Sequence, residues 1–215
     1  MGLKLEQVAI HLNGKPIIRP FSLAVEPGET VTLMGPSGCG KSSLLAYIAG
    51  DLLPPLFGEG LVTLNGAGVA GVRPDRRHIG RLFQDDLLFP HLTVRENLLF
   101  GVPRGPEEDR ESAVRAALED AELSGFADRA PHTLSGGQRS RIALFRALLA
   151  KPRAMLLDEP FAKLDATLRQ SMRDYVFAHL REQMVPSLMV THDLTDAPPK
   201  GRVLTIGPDG EVRHA

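Results

Sequence analysis

The sequence predicts an α/β fold: a largely parallel, doubly wound sheet with an N-terminal antiparallel β subdomain and an inserted helical subdomain. Three observations point there. Apolar runs of strand length, VTLM at 31–34, AMLLD at 154–158 and SLMVTH at 187–192, each end on glycine or polar residues. Helix-like stretches alternate with them, beginning with KSSLLAYIAG at 41–50. From about Gln84 to Ala150 the character changes to helices. On this division residues 1–83 and 151–215 form the α/β core with its β subdomain, and 84–150 form the helical subdomain, all within one domain.

Taken in order, the alternation in LKLEQVAI predicts a first strand, Asn13 and Gly14 a turn, Ser22–Val25 a second strand, and Pro27 with Gly28 another turn. VTLM suits a buried strand feeding a loop, and the helix after that loop is closed by Gly50. LVTLNG returns to strand and turn. Pro106 followed by Glu107, Glu108 and Asp109 marks a helix first turn, which SAVRAALEDAEL continues. LSGGQ at 134–138 opens the next helix: Ser135 and Gln138 have the spacing of a capping box, in which N-cap and N3 satisfy each other's backbone donors. Gly136 and Gly137 each cost about 1 kcal/mol against alanine in a helix, so a helix start does not by itself account for them. Bare backbone at a helix N-terminus admits close approach and attracts anions. RVLTIGPDGEVR near the end reads as a small hairpin.

Composition narrows the function. The 215 residues can bury a substantial core, and a net charge of −1 gives no basic excess for nucleic acid. A single cysteine, Cys39, rules out an internal disulfide framework and suits a reducing compartment. There is no apolar run of membrane-spanning length, and MGLKLEQVAI lacks a signal-peptide core, so a cytosolic chain is expected.

GPSGCGKS at 35–42 fits G-x-x-x-x-G-K-[ST] and lies between a predicted strand and a predicted helix, where such a loop cradles phosphates. Its glycines let successive N–H groups curl into an anion nest. Gly35, Pro36, Ser37, Gly38, Cys39, Gly40 and Ser43 frame that nest; Lys41 reaches the β- and γ-phosphates, and Ser42 offers its hydroxyl to Mg²⁺. MLLDEP supplies acids: Asp158 for the Mg²⁺ shell and Glu159 to orient or deprotonate a water. Gln84 and His192, each after an apolar run, are polar groups that fit the same site. For Cys39 a small buried filler is favoured over a reactive thiol.

The order of these motifs, with LSGGQ at 134–138, LLDEP at 156–160, LD at 164–165 and THD at 191–193, resembles the ATP-binding subunit of ABC transporters over essentially the whole chain. Within that family it looks most like bacterial importer ATPases and, among these, the YnjD-like subunits. The resemblance implies a RecA-like P-loop NTPase core using ATP and Mg²⁺, the metal being held by Ser42, Gln84 and Asp158. It implies a homodimer in which ATP lies between the P-loop of one copy and Ser135, Gly136, Gly137 and Gln138 of the other, with Asp165 at the same interface. Glu159 is then the general base, His192 contacts the γ-phosphate, and Lys41 and Gln84 complete the catalytic set. Integral membrane transporter subunits are the implied partners, docking on LFQDDLLFPHL at 82–92, with a solute-binding protein as a further partner. The chain would then lie on the cytoplasmic face of the membrane. Relatives usually stack an aromatic residue on adenine about two dozen positions before the P-loop; here that place falls near His11 and Leu12, and aliphatic Leu12 implies weak base selectivity, whereas a stacked His11 would restore it. A non-transport ABC ATPase acting on nucleic acid or ribosomes is the competing reading. It is disfavoured by the absence of heptads, of a second ATP domain and of a basic patch.

Overall fold

The computed structural model describes residues 2–214. They form two compact units: one takes in the chain up to Arg81 with Arg153–Glu159 and the segment from Arg173 onward, the other Leu82–Pro152 with Pro160–Met172.

The first unit holds two sheets. In the four-stranded antiparallel sheet, β1 (Leu3–Leu12) lies between β2 (Lys15–Val25) and β4 (Leu56–Leu64), and the short β5 (Ala67–Gly68) follows β4. The Asn13–Gly14 turn has positive φ at both residues, the twist a tight hairpin needs. The second strand is longer than the sequence suggests, starting at Lys15 instead of Ser22. Pro16 and Pro20 hide the alternation, yet β2 is the outer strand of its sheet, where a missing N–H is tolerated.

The six-stranded sheet runs β10 (Val212–His214), β9 (Val203–Ile206), β3 (Thr30–Met34), β8 (Ser187–Val190), β7 (Ala154–Asp158) and β6 (Ile79–Leu82). β3 pairs in parallel with β8 and β9, and β7 with β8, while β10 returns antiparallel on β9 as the expected hairpin. All five residues of β7 and all four of β8 are buried, which is why they read as continuous apolar runs and not as alternation. Helix α1 (Lys41–Ala49) starts from the loop after β3 and ends at Gly50 in the left-handed conformation. Its Leu44, Leu45 and Ile48 join one core with Ile10, Leu33, Leu156 and Leu188, tying both sheets together.

The second unit is helical. It contains α2 (Val94–Gly101), α3 (Glu107–Asp120), α4 (Gly136–Leu149) and the start of α5 (Ala166–Glu182). Two capping boxes open α2 and α4: Thr93 with Glu96, and Ser135 with Gln138. Leu98, Val114, Leu118, Leu123, Ile142 and Phe145 supply its buried apolar side chains. No helix among the described residues is long and apolar enough to cross a membrane.

Candidate functional site

In the first unit the candidate side chains gather at the C-terminal ends of parallel strands, where an open α/β sheet leaves room for a ligand. β3 ends at Met34 and hands the chain to the 35–40 loop. Gly38 and Gly40 have φ of 81° and 96°, and a Cβ at Gly40 would press to 3.0 Å on Ile17 and 3.2 Å on Ile18. Only glycine meets both demands. Lys41 is buried, and its Nζ donates to the carbonyls of Gly35 (2.8 Å) and Pro36 (3.0 Å), so the ammonium lies inside the loop it would serve. Cys39 is half-buried against the core, with Sγ beside Gly35. Arg77 donates to the carbonyls of Tyr47 (3.2 Å) and Ile48 (2.8 Å), holding the far end of α1.

β7 delivers Asp158 to the same edge. It is 4% exposed, and burial raises the pKa of its carboxyl, against the Ser42 hydroxyl bonded to it and the nearby Arg81 and Lys41 charges. A buried carboxylate beside a hydroxyl is a hard oxygen pair of the kind Mg²⁺ takes. No group of three or more acidic, His or Cys side chains placed to hold a metal ion occurs among the described residues. Glu159 follows in the left-handed region, with φ 48°, a strained conformation held by its N–H on the Val190 carbonyl at 2.9 Å. This turns its carboxylate onto His192, Oε2 to Nδ1 2.9 Å, with the histidine largely exposed and the glutamate 17% exposed. The turn bearing His192 is fixed by Thr191, whose hydroxyl donates to the buried Asp196 at 3.0 Å and accepts from the Asp193 N–H at 3.1 Å.

Gln84, Ser135, Gly136, Gly137, Gln138 and Asp165 lie in the second unit. Gln84 is exposed in the bend after β6. Ser135 accepts from the Gln138 N–H at 3.2 Å, and the Gln138 side chain accepts from the Ser135 N–H at 2.9 Å. Both polar side chains at this helix start are therefore spent on the cap. The two glycines differ. A Cβ at Gly136 would meet nothing nearer than 4.0 Å, whereas one at Gly137 would lie 3.0 Å from the Lys163 carbonyl oxygen. Part of the reason for Gly137 is thus the chain's own backbone, while beside Gly136 the nearest group is the Arg139 guanidinium, at 4.0 Å. Asp165 caps α5, its carboxylate accepting from the Leu168 N–H at 3.1 Å.

Leu12 ends β1, 39% exposed. Beside it, His11 Nε2 lies 3.1 Å from Glu59 Oε1, and its ring meets Phe57 at 6.1 Å between centroids. The sequence reading missed Phe57, Arg81 and Asp196. Phe57 is 62% exposed on the strand register opposite His11. Arg81 bonds Asp51 through Nη1 (2.6 Å) and the Ser42 carbonyl through Nη2 (3.3 Å). No local motif marks these three, since each acts through a partner remote in sequence or through a turn whose shape is tertiary.

The family model of the ABC transporter matches residues 18–162. The chain is 43% identical over 203 residues to the uncharacterized ABC transporter ATP-binding protein YnjD of Escherichia coli K12, covering 94% of each. It is 39% identical to the spermidine/putrescine import ATP-binding protein PotA of Chromobacterium violaceum and to the sulfate/thiosulfate import ATP-binding protein CysA of Gloeobacter violaceus. In both cases 99% of this chain is matched, but it spans only 58% and 64% of those relatives. Among solved structures, a dimeric post-hydrolysis state of the ATP-binding cassette MJ0796 bound to ADP and Pi matches with a TM-score of 0.85 at 32% identity, over 99% of this chain and 97% of that one. The phosphate loop and the acid–histidine pair thus sit on the fold of a nucleotide-binding cassette, and the chain belongs to the ABC transporter family as an ATP-binding, ATP-hydrolysing subunit using Mg²⁺.

Proposed function

We propose that two copies of this chain close head to tail around two ATP molecules, and that closure and reopening drive solute movement, in the import direction, through separate membrane subunits. The observation that carries this reading is the split of the site. One unit bears Lys41, Ser42, Asp158, Glu159 and His192, and the other bears the Ser135–Gln138 helix start, where a Cβ at Gly136 would meet nothing nearer than 4.0 Å. In the reading, the loop at 35–43 and Lys41 bind the phosphates of one ATP, and the first N–H groups of α4 from a second copy meet its γ-phosphate. Ser42, Asp158 and Gln84 hold Mg²⁺, which offsets phosphate charge when bound. Glu159 takes the proton of the attacking water, and His192, oriented through Nδ1, offers Nε2 to the γ-phosphate. Asp165 lines the interface between copies.

Residues 84–150 act as the helical subdomain that meets the membrane subunits. Leu87 and Phe100 are exposed there, Phe89 and Phe100 have ring centroids 4.6 Å apart, and buried Asn97 grips the carbonyls of Phe89 and Thr93, giving an apolar face on a braced loop. Such docking places the chain on the cytoplasmic face of the membrane, with a solute-binding protein as a further component. The import relatives and the dimeric cassette support this assignment. The test is Glu159→Gln. The variant is expected to bind ATP, to lose turnover by at least about a hundredfold, and to run as a dimer in gel filtration with ATP but not with ADP. A Glu159→Gln protein that stays a single copy at saturating ATP would sink the two-copy reading.

A further inference from the structure

We propose that Asp86 is a positioning residue: its carboxylate joins the start of α4 and the loop before Asp165 into one piece with the segment after Gln84, so that the second half-site presents itself to ATP as a unit. The inference rests on the two-copy reading above. Asp86 Oδ1 lies 3.0 Å from Lys163 Nζ, and its Oδ2 lies 3.4 Å from Arg139 Nε. The Asp86 side chain is 12% exposed and each cation 37%, so the carboxylate is the enclosed centre and the cations are its rim.

Each partner is anchored in turn. Arg139 also donates through Nη1 to the Leu134 carbonyl at 2.5 Å, the residue before the α4 cap, and so reaches both ends of the connection. Lys163 stands two residues before Asp165, and its own carbonyl fills the space beside Gly137. Arg146 holds the backbone of the Asp86 segment, donating to the Asp86 (3.4 Å) and Leu87 (2.9 Å) carbonyls. One acid thus connects three stretches remote in sequence, and all of these contacts lie within the second unit.

The cations are more than a third exposed, so the pairs add little to folding free energy. Asparagine keeps the size and polarity of the enclosed group, so Asp86→Asn leaves the fold in place. It does leave Arg139 and Lys163 as two like charges with no acid between them, beside the glycines at the head of α4. They then repel, and the helix start and the Asp165 loop are free to separate. Before any second copy can dock, that freedom has to be removed again, at a cost to closure and not to nucleotide binding by one copy.

The experiment uses the full chain on the Glu159→Gln background. We expect Asp86→Asn to raise the protein concentration for half-maximal dimerisation at saturating ATP by roughly tenfold, two clasps per dimer contributing about threefold each. Binding of a fluorescent ATP analogue by dilute single copies, and the melting temperature, should be unchanged. Asp86→Glu, which keeps the charge, should recover most of the loss. An Asn variant that dimerises within about twofold of its parent overturns the proposal. So does a loss of dimerisation accompanied by a lower melting temperature and not recovered by glutamate, which marks mere support of the fold. A parent that itself fails to dimerise refutes the two-copy reading and the clasp with it.

Discussion

Gly136→Ala should move stability and activity in opposite directions. Gly136 is the first residue of α4, directly after the Ser135 cap, and an added Cβ there meets nothing nearer than 4.0 Å. No steric term opposes the substitution in the single chain, which leaves the conformational gain: glycine to alanine is worth up to about 1 kcal/mol inside a helix, and about half that in the first turn. For a chain of this size the gain corresponds to a rise of about 1–3 °C in melting temperature. The same methyl group stands where the γ-phosphate of the facing copy is proposed to approach the first N–H groups. Displacing those donors should lower ATP turnover by roughly ten- to a hundredfold. The assay pairs a thermal melt of the nucleotide-free protein with steady-state phosphate release. A lower melting temperature would refute the reading of room for a Cβ at Gly136. A stabilised variant with undiminished turnover would refute the placing of that residue at the ligand. Gly137→Ala is the control: its Cβ would sit 3.0 Å from the Lys163 carbonyl, so the helix gain is offset and no stabilisation is expected.

Two further predictions follow from the first unit. Burial raises the pKa of Asp158, so the folded chain holds that proton more tightly than the unfolded one, and stability without metal or nucleotide falls as pH rises from the ordinary carboxylate range through the folded value. One proton contributes at most about 1.4 kcal/mol per pH unit. Asp158→Asn should flatten that part of the profile in urea unfolding between mild acid and neutral pH, and an unchanged slope would show that Asp158 is not its source. At the base end, aliphatic Leu12 separates purines poorly, so GTP should be hydrolysed within about threefold of ATP at equal concentration. An ATP preference above about tenfold would mean that an aromatic ring reaches the base, and its loss on Phe57→Ala would identify that ring.

Much of this molecule is local chemistry, and local chemistry can be read from a sequence. A strand, a glycine-rich turn and a helix follow one another within twenty residues around Lys41, Gly50 ends that helix in a conformation suited to glycine, and Ser135 and Gln138 satisfy each other across a single turn. The continuous apolar character of AMLLD and SLMV reflects burial on both faces of a parallel sheet, which needs no knowledge of the neighbours. The rest depends on contacts that no short window contains. Pro16 and Pro20 argue against a strand until β2 is seen on the outside of its sheet, and Phe57 gains interest only from the register that sets it opposite His11. The meeting of Glu159 with His192, and of Asp86 with Arg139 and Lys163, depends on which strands and helices the core brings together. Sequence determines backbone preference and the order of chemical groups, since both act over a few residues. Which groups touch is decided by packing, because burial of apolar surface is indifferent to distance along the chain.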